Sequence, residues 1–491
     1  MENETEIVRT PLAEDSSNET FAHITATGQA SAPTGRMPLS QLVPLMVAVS
    51  LGYFAVQLDV SIVNLSLPAI QASYHADVAA LQWIVNAYTL SFSVLLLSAG
   101  ILGDRYGNRR FLIIGYALFL TGSLACALAP TISTMQAARF FQGFGAAFIV
   151  PNSLAVINGS FVDDKRLRLV LLSVWMSFGG AALTCGPILG GVITSFTNWR
   201  YIFIINLPVC LLGMAITARA VKAAPQRPTR RQDWIGQALI LLFSAALLFL
   251  IINYADMRSV AHAALLAVAA AGLAVFVVVE LRLTDPAIPL DMFRNLGLQR
   301  AVTLGSLINF IYFGIVFYSS LYFRYDLKMT ALQAGLAFIP MTLPLVFSNM
   351  LSARISTGHG PDRSISVGLA FLIPGMVWLA LPAVDGGYSE MLPAFVVVSL
   401  GIGFITPMIT SLALLSVDPE RSGMISAVVN FFRQISGAFG VAVFGAFMAS
   451  GGIARSYREF RFALAILAFA LVASIGLFSR LGSSKASGAE G

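Results

Sequence analysis

The stretch YFAVQLDVSIVNLSLPAI, Tyr53 to Ile70, consists of aliphatic, aromatic and small residues with four neutral polar groups and one carboxylate, Asp59. It lies within a longer apolar run, 42 to 67. A helix rising 1.5 Å per residue crosses a hydrocarbon slab of about 30 Å with about 20 such residues. An acid at the centre of such a helix costs about 2.5 to 3.5 kcal/mol, so it is kept where it faces a cavity or meets a partner. The reading of this one segment therefore sets two questions: how many spans surround it, and what Asp59 meets.

Working outward, thirteen further runs of spanning length follow: 82 to 102, 111 to 129, 132 to 158, 170 to 195, 200 to 221, 234 to 253, 262 to 283, 301 to 323, 332 to 352, 364 to 383, 391 to 416, 423 to 449 and 461 to 479. They are continuous rather than alternating in polarity, which argues against barrel strands. The composition agrees. Charged residues make up 11% of the chain and hydrophobic ones 57%, against about 25% charged in soluble domains, so most of the surface must meet a low-dielectric solvent. The expected partner over that surface is the lipid bilayer.

Composition also excludes several functions. Cys126, Cys185 and Cys210 lie in apolar runs without metal-ligand spacing, and the four histidines are scattered, so no metal or other cofactor is expected. No GxxxxGK[ST] loop is present to hold a nucleotide phosphate, nor is there an HExxH, a pair of intramembrane aspartates or a nucleophile with its base. The chain is not expected to be an enzyme. No sizeable soluble domain suits a receptor, which remains, with an enzyme, the non-transport alternative.

With the N-terminus inside, the inner connections and C-terminal tail collect nineteen basic residues and the outer connections seven. Positive loops stay cytoplasmic, so both termini are expected there. The net charge of +6 is then a topological bias and gives no reason to invoke nucleic acid. Residues 1–41 are polar and lack the basic start and apolar stretch of a signal peptide; a disordered cytoplasmic tail is expected. The charged, proline-containing connections 222–233 and 284–300 set two spans apart. The expected fold is therefore an all-α polytopic membrane protein of fourteen helices arranged 6 + 2 + 6, with bundles at 42–221 and 301–480, a two-helix linker at 222–300 and a tail at 481–491. A faint repeat supports paired bundles: GFGAAFIVPNSLA (Gly143 to Ala155) is echoed by GIGFITPMITSLA (Gly401 to Ala413). Repeats around a midplane cavity are a common plan of secondary transporters.

Helical rise places Asp59 roughly 12 Å below the outer end of its span and Arg139, in the fourth span, roughly 10 Å below the same surface. The two opposite charges share a depth. Burial disfavours the charged acid and a guanidinium favours it, so a change in separation or hydration would load and unload a proton; a static ion pair fixing helix packing is the alternative. In GILGDRYGNRRFL (Gly100 to Leu112), small residues permit close approach while Asp104, Arg105 and Arg109 can pair with helix ends or each other. Gly100, Asp104, Arg105, Gly107 and Arg109 read as a conformational gate, or more simply as a positive-inside anchor. GGAALTCGPILGG (Gly179 to Gly191), with Gly186, Pro187, Gly190 and Gly191, reads as a bending or sealing helix or as ordinary tight packing. Arg433 lies about 15 Å into its span, bonding backbone as a structural residue or attracting an anionic group from a cavity. Asn309 and Phe313 share a face of the aromatic ninth span and, with Asn64 and Arg433, are the candidate cavity residues.

Together these motifs resemble the major facilitator superfamily and, within it, the fourteen-span drug:proton antiporters. LDVSIVNLSLP (Leu58 to Pro68) is similar to that family's first-helix signature, GILGDRYGNRR to its loop between helices two and three, RFFQGFGAA (from Arg139) to its fourth-helix motif and GPILGG (from Gly186) to its antiporter motif; WRYIFIINLP (Trp199 to Pro208) and DWIG (Asp233 to Gly236) also match. Asn108 departs from the pattern, standing where a basic residue is usual. The resemblance implies a monomeric exporter of a bacterial cytoplasmic membrane that exchanges inward-moving protons, its coupling ion, for hydrophobic or amphipathic compounds such as drugs, antibiotics and cationic dyes. It also implies that Asp59 and Arg139 carry the coupling. Two buried arginines leave open a different cargo, an organic anion or siderophore-like product.

Overall fold

The computed structural model describes residues 38–161, 165–222, 232–254, 259–283, 286–381, 387–417, 422–449 and 453–487. These residues form fourteen long helices and no strand. They are α1 (Leu39–Tyr74), α2 (Val78–Tyr106), α3 (Asn108–Leu128), α4 (Ile132–Ser160), α5 (Lys165–Phe196), α6 (Tyr201–Ile204 and Asn206–Ala220), α7 (Trp234–Ile252), α8 (Ser259–Arg282), α9 (Leu296–Tyr325), α10 (Ala331–Ala337 and Ile339–His359), α11 (Pro361–Ala380), α12 (Tyr388–Leu415), α13 (Ser422–Ala449) and α14 (Ile453–Ser487). Among the described residues, thirteen helices are long and apolar enough to cross a membrane. The chain is a multi-pass membrane protein.

Several boundaries differ from those read in the sequence. α1 starts at Leu39 and continues to Tyr74, α9 starts inside the expected linker at Leu296, and α14 runs on into the expected tail, to Ser487. Apolar runs mark only the hydrocarbon-facing part of a helix, whereas the backbone ladder continues until a cap or breaker ends it. Asp77 caps α2 through the Ala80 N–H (2.8 Å), and Thr131 and Thr134 form a reciprocal capping box that starts α4. Most of the N-terminal tail and of the connection 222–233 lies outside the described residues. Proximity of Cα atoms separates Met1–Val43 from one compact unit, Pro44–Gly491, within which the packing below is found.

Lipid offers no hydrophobic drive between helices, so close packing needs small residues. A methyl group at Gly122 of α3 would meet the Gln142 Cα at 2.6 Å, and one at Gly145 of α4 the Phe119 Cα at 2.6 Å. The same seam recurs between α11 and α12, where Gly375 abuts Val398 and Gly401 abuts Leu372. Each half also turns on a positive-φ glycine, Gly107 before α3 and Gly360 before α11. Of these glycines, Gly145 on α4 and Gly401 on α12 lie within the Gly143–Ala155 and Gly401–Ala413 echo.

Several contacts between helices α1–α6 and helices α9–α14 lie toward the ends joined by the α1–α2 and α9–α10 turns, called here the Tyr74 face. There Gln82 of α2 donates to the Val441 and Ala442 carbonyls of α13 (3.1 and 2.6 Å), and the Tyr325 hydroxyl donates to Gln71. Gly191 of α5 lies under the Ala331 carbonyl of α10, and Gly335 of α10 under that of Pro187. Toward the opposite, Gly107 face, Gly180 faces Val346 at looser contact, 3.5 Å from an added methyl. α7 packs on both α2 and α13 and pairs with α8.

Candidate functional site

Asp59 stands on α1 and Arg139 on α4, and the structure joins them: Arg139 Nη1 donates to Asp59 Oδ2 at 2.5 Å. Asp59 is fully buried and Arg139 is 1% exposed. A buried ion pair is tolerated only when its remaining lone pairs and protons are satisfied, and here a second residue of α4 and three other helices contribute. Gln142, one turn beyond Arg139, accepts from Arg139 Nη1 (2.7 Å) and donates to Asp59 Oδ1 (2.9 Å). Asn206 of α6 donates to the same Asp59 oxygen (3.1 Å). Ser123 of α3 accepts from both amides, at 2.7 Å from Gln142 and 3.1 Å from Asn206. The guanidinium also donates through Nε to the Ile84 carbonyl of α2 (3.1 Å) and lies 4.2 Å from the centre of the Tyr88 ring.

Local sequence explains the placement. Gln142 follows Arg139 by three residues, so the two share a helical face, and Gly143 and Gly145 beside them let α4 press against α2 and α3. Asn206 sits where α6 resumes after its interruption at Ile205. Reading residue types alone missed Gln142, Asn206 and Ser123. Gln142 and Asn206 were present only as the RFFQ and INLP parts of two quoted motifs, and Ser123 lay in none.

The acid does not open into a cavity. A pocket lies on the other side of α1, lined by Val60, Ser61, Asn64 and Leu65, by Leu183 and Pro187 of α5, by Tyr312, Phe313 and Val316 of α9, and by Phe338 and Thr342 of α10. At 100° per residue, Ser61 and Asn64 point about 160° and 140° away from Asp59. Asn64 gives its amide to the Val60 carbonyl (2.8 Å), while its Oδ1 has no partner; an acceptor is left facing the pocket wall.

Of the four candidate cavity residues, Asn64 and Phe313 line this pocket and Asn309 and Arg433 do not. Asn309 spends its amide on the Gly305 carbonyl one turn below (2.9 Å). Arg433 lies a further turn toward the Gly107 face, its side chain against Gly305 and its charge near the Tyr53 hydroxyl. Its Nε has no hydrogen-bond partner, and among the described residues no carboxylate pairs with it. Tyr53 is stacked on Trp175 of α5 with ring centres 3.8 Å apart.

Gly186 and Gly190 admit Ser61 and Ile62 of α1 against α5, and Gly191 and Pro187 admit α10; α5 is thus packed against α1 by the first two and against α10 by the other two. In the Gly100–Arg109 segment, Gly107 adopts φ +105 and ends α2, Asn108 donates to the exposed Asp104 (3.2 Å), and Arg109 donates to the Ala218 carbonyl at the end of α6, where a cation suits the helix dipole. Arg105 lies over Tyr106, and Gly100 lies near Pro151. The segment touches its own half at these points.

Residues 49–441 match the model of the Major Facilitator Superfamily. The chain is 33% identical to the methylenomycin A resistance protein of Streptomyces coelicolor over 87% of this chain and 89% of that protein. It is 30% identical to the drug efflux pump JefA of Mycobacterium tuberculosis over 82% and 80%, and 29% identical to the tetracenomycin C resistance and export protein of Streptomyces glaucescens over 83% and 76%. The crystal structure of a POT family transporter in complex with a thioalcohol-conjugated peptide superimposes with a TM-score of 0.62 at 14% identity, covering 90% of this chain and 97% of that one. At that identity the likeness is one of fold.

Proposed function

Because the chain belongs to the major facilitator superfamily, and is thus a membrane transporter, we propose that it exports hydrophobic or amphipathic compounds by alternating access, driven by protons moving inward. The observation that carries the proton coupling is the Asp59–Arg139 pair: a carboxylate with no exposure, held by one guanidinium and two amides, on the helix that also walls the pocket. Its relatives' names, a resistance protein, a drug efflux pump and an export protein, support outward movement of small molecules. The pocket's apolar and aromatic lining suits such cargo. With both termini cytoplasmic, the tightly packed Tyr74 face is the outer one and the arrangement is inward-facing. Arg109 and Asp104 on the Gly107 face are then free to engage the other half when that face closes.

Protonation of Asp59 removes the charge that holds Arg139 and lets α1 move relative to α4. The test is uphill movement of a lipophilic cationic dye in proteoliposomes under an imposed pH difference. Asp59→Asn is expected to abolish it while leaving energy-independent counterflow of the dye. Undiminished pH-driven transport by this variant would falsify the coupling role.

A second reading of the cargo rests on Arg433, a guanidinium beside Tyr53 without a carboxylate partner among the described residues. It favours an organic anion, which would supply the missing charge. Arg433→Ala is then expected to lose transport of anionic aromatic compounds and keep that of cationic dyes; equal effects on both classes make the residue structural.

A further inference from the structure

A second pair of ionisable groups lies far from Asp59 in sequence, in the α7–α8 hairpin. Asp233, 8% exposed, caps α7 by accepting the Gly236 N–H at Oδ1 (2.8 Å), and its Oδ2 accepts the Ala287 N–H (3.3 Å). Glu280, near the end of α8 and 3% exposed, accepts the Ile288 N–H at Oε2 (3.2 Å). The two carboxyls converge beside Gly236, where Asp233 Oδ2 and Glu280 Oε1 both crowd the position a methyl group would take, and Glu280 Oε1 receives no donor. Gly236 makes room for the meeting: a methyl group there would lie 2.6 Å from Glu280 Oε1 and would also overlap Asp233.

Among the described residues, no cation pairs with either carboxyl. The nearby polar side chains are Ser98 of α2, Gln232 just before α7 and Gln237 of α7, bonded among themselves. The apolar cluster around the site contains Ile240 of α7, Phe276 of α8, Ile288, and Val428 and Phe431 of α13. Arg282, two residues beyond Glu280, is exposed, as are Asp291 and Arg294 in the turn that leads to α9. Two carboxylates in contact cannot both ionise without a cation between them, and the described residues hold no third ligand of the kind a metal ion needs.

The geometry points to a proton-binding site: Asp233 and Glu280 share one proton, with Glu280 Oε1–H donating to Asp233. With the proton in place, the two carboxyls clamp the Ala287–Ile288 backbone, and with it the connection to α9, onto the start of α7. Loss of the proton sets two buried charges against each other and releases that connection. The extra helix pair thereby gains a pH-dependent attachment to the second half, whatever the transported compound.

Infrared difference spectroscopy of the full chain, reconstituted in lipid and titrated, tests this. In an Asp59→Asn background a protonated-carboxyl carbonyl band is expected to persist through neutral pH and to vanish when Glu280→Gln is added. Glutamine preserves both the acceptor for Ile288 and a donor toward Asp233, so the variant should stay folded. A band insensitive to Glu280→Gln, or no such band at all, overturns the proposal. As a second readout, a cysteine at Ala287 in a Cys185→Ala background should react with a maleimide severalfold faster at alkaline pH than the same cysteine beside Glu280→Gln. Equal rates in the two at every pH contradict the clamp.

Discussion

Replacing Gln142 by methionine tests the reasoning about the buried pair most sharply, because it keeps the side chain's volume while deleting an amide that touches both charges. The bonds lost to the two charges are Gln142 Nε2 to Asp59 Oδ1 at 2.9 Å and Arg139 Nη1 to Gln142 Oε1 at 2.7 Å, with a neutral one from Nε2 to Ser123 at 2.7 Å. A hydrogen bond to a charged group contributes about 1.5 to 3 kcal/mol. Only the first of the two distinguishes ionised Asp59 from protonated Asp59, because Arg139 stays charged in both states. Asn206 continues to donate to the acid and to Ser123, so the site is weakened rather than dismantled. Removing a donor from the ionised form makes it less favourable, so the proton is held to higher pH. At 1.36 kcal/mol per pH unit, the midpoint of pH-driven transport should move about 1 to 2 units to the alkaline side. Transport of a cationic dye in proteoliposomes buffered over a pH series reads that midpoint, and a thermal melt of the purified variant checks folding. A folded Gln142→Met protein whose midpoint stays in place refutes the assignment of the proton to Asp59.

Two further substitutions separate packing from backbone strain. Gly145→Ala drives a methyl group into the Phe119 backbone across the α3–α4 seam and should cost about 1 to 3 kcal/mol, seen as a lowered melting temperature. Gly107→Ala meets no atom within 4 Å, so its cost, about 1 to 3 kcal/mol, comes from φ +105 alone. Gly159→Ala, equally open but helical, should instead leave stability unchanged or raise it by about 0.5 to 1 kcal/mol.

Much of the molecule was legible because membrane solvation writes itself into long apolar runs, and fourteen such runs correspond in order to the fourteen helices. The shared depth of Asp59 and Arg139 was readable from helical rise, since depth depends only on counting residues from an end. What Gln142, Asn206 and Ser123 do was not readable. Each is a single neutral polar residue in an apolar run, and its partner depends on how each helix is rotated about its axis. Lipid-facing helices are apolar on nearly every side, so periodicity does not fix that rotation. The same ambiguity grouped Asn309 and Arg433 with Asn64 and Phe313: the shared helical face was real, but a turn's difference in height closed Asn309 onto Gly305. Glu280 escaped notice because it sits at the end of a run, where a charge is ordinary.

The position of Asp59 and the pocket on opposite sides of α1 has a chemical consequence for the cargo. A compound seated against Ser61 and Asn64 is separated from the carboxyl by the thickness of one helix, so it need not compete with the proton for the same atoms or present a matching charge. On the proposed mechanism, selection can therefore fall on bulk and greasiness, while the energy is delivered through the turning of a rod. A machine so divided tolerates novelty in what it carries, since an unfamiliar molecule only has to fit.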